Sequence, residues 1–347
     1  MLAAKNGTRN GTRSISGQSN SYNTQNDVYE LTIAPKSLET VCNKIINEIK
    51  NLPHLKQLGS GALESINKDF IKELKKSDPK LLEELEYIKH TKPLITSITG
   101  INFPKFNQAH FPKNFEDLNN QSFMKEIRPA EIIISALTGA LGIEPEGQGE
   151  DSRLIGYVFS QKIDSGELTS NNKGLDWHND GWQYLHGLPQ SLALLGVVGQ
   201  KNVLTEVVTS KQIIKYLEDN NQKDLIKALG NEHFMGRQDE YYEIFFPIID
   251  KDQNMHFASR AVKNMIDKEV CDNSAAVALA NLLKTITPAF SKALDAGDLL
   301  VVRNDKVLHS RKIDVSSQNE ETPPSNNVEK FSGNRLLTRV VGSQFQP

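Results

Sequence analysis

Cysteine is nearly absent. The 347-residue chain has two, Cys42 and Cys271, too few and too far apart for a disulfide scaffold or a thiolate zinc ribbon. No window approaches 18 consecutive apolar residues, so no membrane-spanning helix is expected. The charge has no dominant sign. Forty basic and 43 acidic residues leave a net −3, which gives nucleic acid or an anionic membrane no electrostatic handle. There is no G-x-G-x-x-G, no P-loop, no H-E-x-x-H and no repeat of 20–50 residues, which argues against dinucleotide binding, nucleotide hydrolysis, zincin chemistry and a solenoid. The N-terminus lacks the apolar core of a signal peptide, so a cytoplasmic location is expected. On that expectation the sequons at Asn6 and Asn10, within the repeat NGTRNGTR, are chance matches.

What is present divides into three parts. Residues 1–27 are rich in Ser, Asn, Gly and Thr and are expected to be a disordered tail. Residues 28–150 are helix-rich. Leu38, Val41, Cys42, Ile45, Ile46 and Ile49 form a helical stripe in which Cys42 acts as a small buried hydrophobe. Helical patterns follow over 62–76, 80–89 and 130–142. From 151 to 347 short apolar runs take over: LIGYVFS from Leu154, SLALLGVV from Ser191, VLTEVVT from Val203, YYEIFFPII from Tyr241, DLLVV from Asp298 and RLLTRVV from Arg335. Strands interrupted by helices at 210–229 and 275–287, without a βαβ rhythm, predict a mainly β fold with flanking helices, a jelly roll with a helical jacket. Although length alone suggests two units, the expectation is a single domain over 28–347. The polar stretch 314–334, with Pro323-Pro324, is expected to be a lid or a disordered loop.

Candidate chemistry lies in two segments far apart in sequence. LDWHNDGW sets His178 two residues before Asp180, so on a strand the imidazole and carboxylate share a face. DLLVVRNDKVLHSR puts His309 just past a strand-like run. Two His and one Asp make a facial triad that favours iron(II) with open coordination positions. H-x-D is also a common chance pattern, and a structural histidine is the alternative. Arg335 and Arg339, four residues apart on RLLTRVV, share a face if the run is a strand. That face looks either to solvent or inward, and inward it demands an anion such as a dicarboxylate.

LDWHNDGWQYLHGLPQSLALLGVV, VLTEVV, AGDLLVVRNDKVLHSR and GNRLLTRV, in this order, resemble the clavaminate synthase-like branch of the iron(II)/2-oxoglutarate-dependent oxygenases, with the taurine dioxygenase group close by. The resemblance covers residues 150–345. It implies a double-stranded β-helix, with His178, Asp180 and His309 as iron ligands. Thr205 and Arg335 would contact 2-oxoglutarate, and Arg339 the substrate or cosubstrate. Gln161 and Ser170 match, loosely, positions near an amino-acid substrate. The implied reaction hydroxylates an unactivated C–H of a free amino acid or related small polar molecule with iron(II), 2-oxoglutarate and dioxygen. Partners would be small molecules, neither nucleic acid nor membrane. An acidic residue such as Asp239 could pair with a basic substrate, and Trp182, Tyr184 and Phe257 could form an apolar wall, or be loop and core respectively.

The chain departs from the pattern in two places. The acidic ligand is Asp180 where the clavaminate branch usually has Glu. The 26 residues from His309 to Arg335 are more than the family leads one to expect, with 314–334 as the insertion; Arg311 as a rival clasp is set aside, because it is only two positions from His309 and outside the RLLTR block. Halogenases of the superfamily lose the acidic ligand, so its presence points to hydroxylation or desaturation. The alternatives are a sulfonate or dicarboxylate oxygenase of the taurine dioxygenase kind, a non-catalytic jelly-roll binding protein, and a zinc hydrolase.

Overall fold

A computed structural model describes residues 13–15, 18–23, 27–49, 59–147, 153–160, 174–181, 188–234, 245–260, 262, 274–314 and 335–344. The chain begins with strands β1 (Arg13–Ile15), β2 (Gln18–Asn23) and β3 (Val28–Thr32). Helices α1 (Pro35–Ile49), α2 (Ser60–Ser77) and α3 (Pro79–Thr91) follow, then β4 (Ile95–Thr99), α4 (Gln121–Ala140), β5 (Ile143–Pro145), β6 (Gly156–Phe159) and β7 (Leu175–His178). Next come β8 (Ser191–Val198), β9 (Val203–Thr209), α5 (Ser210–Asp219), α6 (Lys223–Leu229), β10 (Glu232–Phe234) and β11 (Phe245–Pro247). The chain closes with α7 (Ser274–Leu282), β12 (Phe290–Ala293), β13 (Leu299–Val302), β14 (Val307–Ile313) and β15 (Leu336–Gln344).

Two sheets carry the architecture. The larger runs β1-β2-β3-β4-β13-β8-β15-β5, with β6 also on β15; the smaller runs β12-β9-β14-β7. Strand alternation explains how they stack. Leu192 and Leu194 of β8, Leu300 and Val302 of β13, and Leu337 and Val341 of β15 share one core with Val207, Phe290 and Val307 of the small sheet. The opposite parity serves the outer faces. Ala193, Leu195, Leu299, Leu336 and Val340 pack under α1–α4, while Val208 and Leu308 pack under α5–α7. The order of layers is therefore helices, large sheet, small sheet, helices, with the central strands β8, β9, β13 and β15 carrying buried residues on both faces. This supports the mainly β expectation at the level of sheets jacketed by helices.

The helices obey their sequence signals. Asp78 accepts a hydrogen bond from Leu81 N at 3.1 Å at the start of α3, with Pro79 as the first helical residue, and Thr209 caps α5 through Gln212 N at 3.1 Å. The predicted helix at 130–142 is the second half of α4, which is buried on nearly all sides between the large sheet and the other helices. Its buried carboxylate, Glu131, pairs with Arg128 at 2.8 Å and accepts a hydrogen bond from Tyr157 of β6. Among the described residues no helix is long and apolar enough to cross a membrane.

The tail departs from expectation. Residues 13–15 and 18–23 form a hairpin whose second strand pairs antiparallel with β3. Composition could not foresee this, because edge pairing uses backbone N–H and C=O groups and needs no apolar side chain. β3 lies parallel to β4, and β2 covers its other edge. The expected lid at 314–334 lies outside the described residues beyond Asp314.

Candidate active site

β7 and β14 are antiparallel neighbours, and their register sets His178 directly opposite His309. The two rings lie 4.3 Å apart, centroid to centroid. Asp180 is not on the strand. It sits in the turn that follows β7, ahead of Gly181 at φ +75°. It nonetheless falls on the same side as His178, because Asn179 turns inward and is fully buried. Asp180 Oδ1 is 3.6 Å from Nε2 of each histidine. One donor atom from each of the three residues lies within 4.8 Å of the others, a spacing that a single cation about 2 Å from each would fill.

The protonation states suit a cation. Burial alone raises the Asp180 carboxyl, but Arg339 and the two imidazoles outweigh it and hold it well below the ordinary carboxylate range. Burial, and then the neighbouring His178, lowers the His309 imidazole from its usual value. An ionised carboxylate thus faces a neutral imidazole. His178 Nδ1 lies 2.7 Å from the Asp176 carbonyl, which favours a proton on Nδ1 and leaves Nε2 free as a ligand atom. Arg339 Nη1 donates to Asp180 Oδ2 at 3.2 Å, so one carboxylate oxygen is engaged and the other faces the histidines.

A second cluster lies in the same space between the two sheets. Arg335 and Arg339 alternate with Leu337 and Val341 of the inter-sheet core, so both point inward and the solvent-facing alternative fails. Arg335 is 4% exposed, its Nη2 donates to Thr205 Oγ1 at 3.0 Å, and its Nε has no hydrogen-bond partner among the described residues. Arg311 is the addition that sequence reasoning set aside. It is buried on β14, two residues from His309, and opposite Thr205 in register. Burial lowers Arg311 to about 10; burial and then the Arg311 charge lower Arg335 to about 9. Among the described residues no carboxylate lies within ion-pair distance of Arg335. Thr205 is two positions along β9 from Val207, the partner of His309, so the pair of arginines lies about 7 Å from the ligand row.

Of the remaining expected site residues, Gln161, Ser170 and Asp239 lie outside the described residues, as do Trp182 and Tyr184. Phe257 is fully buried in the core under α5–α7 and does not line a wall of the site. Two residues had no chemical signal in the sequence. Asn179 and Asn304 are both fully buried; Asn304 bonds the Asp180 backbone, and Asn179 bonds the backbone of Met255 and Phe257.

No family model and no curated protein matches the sequence. Solved structures do match. The non-heme iron oxygenase OrfP in complex with Fe superposes with a TM-score of 0.60 at 16% identity, over 90% of this chain and 93% of that one. Asparagine oxygenase (AsnO) gives 0.59 at 12% identity, over 91% and 93%. The asparagine oxygenase complex with Fe(II), 2S,3S-3-hydroxyasparagine and succinate gives 0.60 at 14%, over 90% and 93%. This is the fold of non-heme iron oxygenases. Within that fold the likeness extends through the helical first third as well, beyond the part where the sequence resemblance could be read.

Proposed function

We propose that this chain is an iron(II)/2-oxoglutarate-dependent oxygenase that hydroxylates an unactivated C–H of a free amino acid or a related small polar molecule. The observation that carries the proposal is the convergence of His178, Asp180 and His309 from β7, its following turn and β14, with a buried guanidinium pair in the same space between the two sheets. Two imidazoles and one carboxylate fit divalent iron and leave positions open for other ligands. Iron(II) with 2-oxoglutarate and dioxygen supplies the oxidising power for C–H hydroxylation. In this reading the two sheets are the halves of a double-stranded β-helix, and residues 28–347 act as one oxygenase domain.

The chain's own groups do the rest. Arg335 and Thr205 would hold the distal carboxylate of 2-oxoglutarate, and its five-carbon chain spans the interval back to the ligand row. Arg311 adds positive charge at that end. Arg339 orients Asp180, and its partial exposure leaves it able to meet an anionic group of the substrate. Gln161, Ser170 and Asp239 are assigned as substrate contacts. The amino-acid class is supported by the similar structures, since OrfP is solved with Fe and L-Arg and asparagine oxygenase with 3-hydroxyasparagine.

The test is succinate release from 2-oxoglutarate in air with iron(II), screened over free amino acids and small acids. A product heavier by one oxygen is expected for an amino acid. His178→Ala should abolish turnover. Succinate release that is absent across the panel, or unchanged in His178→Ala, overturns the proposal. Turnover confined to sulfonates or dicarboxylates would move the chain to the taurine dioxygenase-like alternative.

A further inference from the structure

Asp180 lies beyond the last ladder pair of β7, so strand pairing does not fix its backbone. The side chain of Asn304 does. Asp180 N–H donates to Asn304 Oδ1 at 2.9 Å, and Asn304 Nδ2 donates back to the Asp180 carbonyl at 2.8 Å. The other Nδ2 hydrogen goes to the Pro189 carbonyl at 2.8 Å. Asn304 is fully buried, so all three bonds are made away from water. The amide orientation is fixed as well, because a flipped amide would set its oxygen against two carbonyls and its NH2 against an N–H.

The position of Asn304 gives these bonds a purpose beyond stability. It lies in the turn 303–306, where the chain leaves β13 of the large sheet for β14 of the small one, five residues before His309. The turn is anchored on both sides: Arg303 N–H donates to the Leu94 carbonyl at 2.9 Å, and the Asp305 carbonyl accepts from Met255 N–H at 2.7 Å. Asn179 adds a second tie. Its Oδ1 accepts from Phe257 N–H at 3.0 Å, and its Nδ2 donates to the Met255 carbonyl at 2.6 Å. The segment 178–180 is thus pinned to the corner between the sheets.

We propose that Asn304 is a positioning residue for the metal centre: by clamping both sides of the Asp180 peptide, it holds the Asp180 carboxylate in reach of the cation bound by His178 and His309. This rests on the metal site of the proposed function. It extends that function by assigning the preorganisation of the acidic ligand to one amide. Outer partners of metal ligands typically change affinity by about 10- to 100-fold when removed.

Co(II) titration of the full-length protein, followed by its visible absorption, tests this without turnover. Asn304→Ala should weaken Co(II) binding about 10- to 100-fold, and its spectrum should shift toward that of Asp180→Ala. On the Asp180→Ala background, adding Asn304→Ala should cost no further affinity, because the clamp acts through that carboxylate. Equal affinity in Asn304→Ala and the unaltered protein, or losses that add in the double variant, would overturn the inference and leave Asn304 a purely structural residue. Should Asn304→Ala fail to fold, Asn304→Ser is read by the same criteria. A protein that binds no Co(II) even unaltered would instead sink the metal site itself.

Discussion

Arg335, buried beside Arg311 with no carboxylate within ion-pair distance among the described residues, is the least comfortable residue in this fold. Burying guanidinium groups side by side costs solvation and adds repulsion, and both Arg311 and Arg335 hold their protons less tightly for it. Such an arrangement makes sense for a site that receives an anion. Arg335→Met should therefore leave melting temperature equal or higher while raising the 2-oxoglutarate requirement on the order of 100-fold. Arg311→Met should raise that requirement less. Thermal melts with and without 2-oxoglutarate, beside a cosubstrate titration of succinate release, check both. Stability that falls in Arg335→Met with an unchanged 2-oxoglutarate requirement would remove the cosubstrate role. At this scale the sequence was informative where residue type was rare in its setting. Histidines beside a carboxylate and an arginine pair in an apolar run stood out. Asn304 did not, since an asparagine between Arg303 and Asp305 looks like ordinary turn chemistry. Arg311 was visible but set aside, because it stands only two positions from His309 and outside the RLLTR block; sequence spacing does not show that β14 and β15 bring both guanidinium groups to one space.

Among the elements, β8 and β9 were legible to the residue, since runs of apolar and β-branched residues bounded by polar turns describe strands. β14 was harder. Its inner positions hold His309 and Arg311, so the residues that make it functional erase the apolar alternation that would reveal it. β3 and β4 were hidden in a stretch dominated by helical periodicity; they pair with each other across the intervening α1–α3, and sequence alone does not announce a partner so distant. Helix α4 was recognised only in its apolar second half, because Pro129 and the charged residues before it break the stripe. The tie between α4 and β6 carries a pH signature. Burial outweighs the Arg128 charge and raises the Glu131 carboxyl above its usual 4.5. The native state therefore holds that proton more tightly than the unfolded chain does, and this contribution to stability fades as pH rises above 4.5. In urea unfolding across a pH series, the protein should lose ground to Glu131→Gln as pH increases. A stability difference between the two that is flat with pH would contradict the raised value.

For the whole molecule, two sheets jacketed by helices were foreseeable from the change of texture near residue 150, but the relation between sheets was not. Which strand lies beside which is decided by contacts across hundreds of residues, as when β15 at the end of the chain inserts between β8 and β5. The site inherits this dependence. Its ligands come from segments more than a hundred residues apart, and its two clusters share the space between the sheets only because β15, β9 and β14 face one core.

The hairpin of β1 and β2 has a bearing on how the protein behaves as a substance. A chain shortened to begin at Asp27 keeps every side chain of the two clusters but bares the outer edge of β3. An uncovered row of peptide groups invites a second copy to dock there. Light scattering of the shortened chain should reveal self-association that grows with concentration, while Co(II) uptake per chain stays as before. A shortened chain that stays monodisperse would mean that the polar leader does not guard the sheet against its own kind.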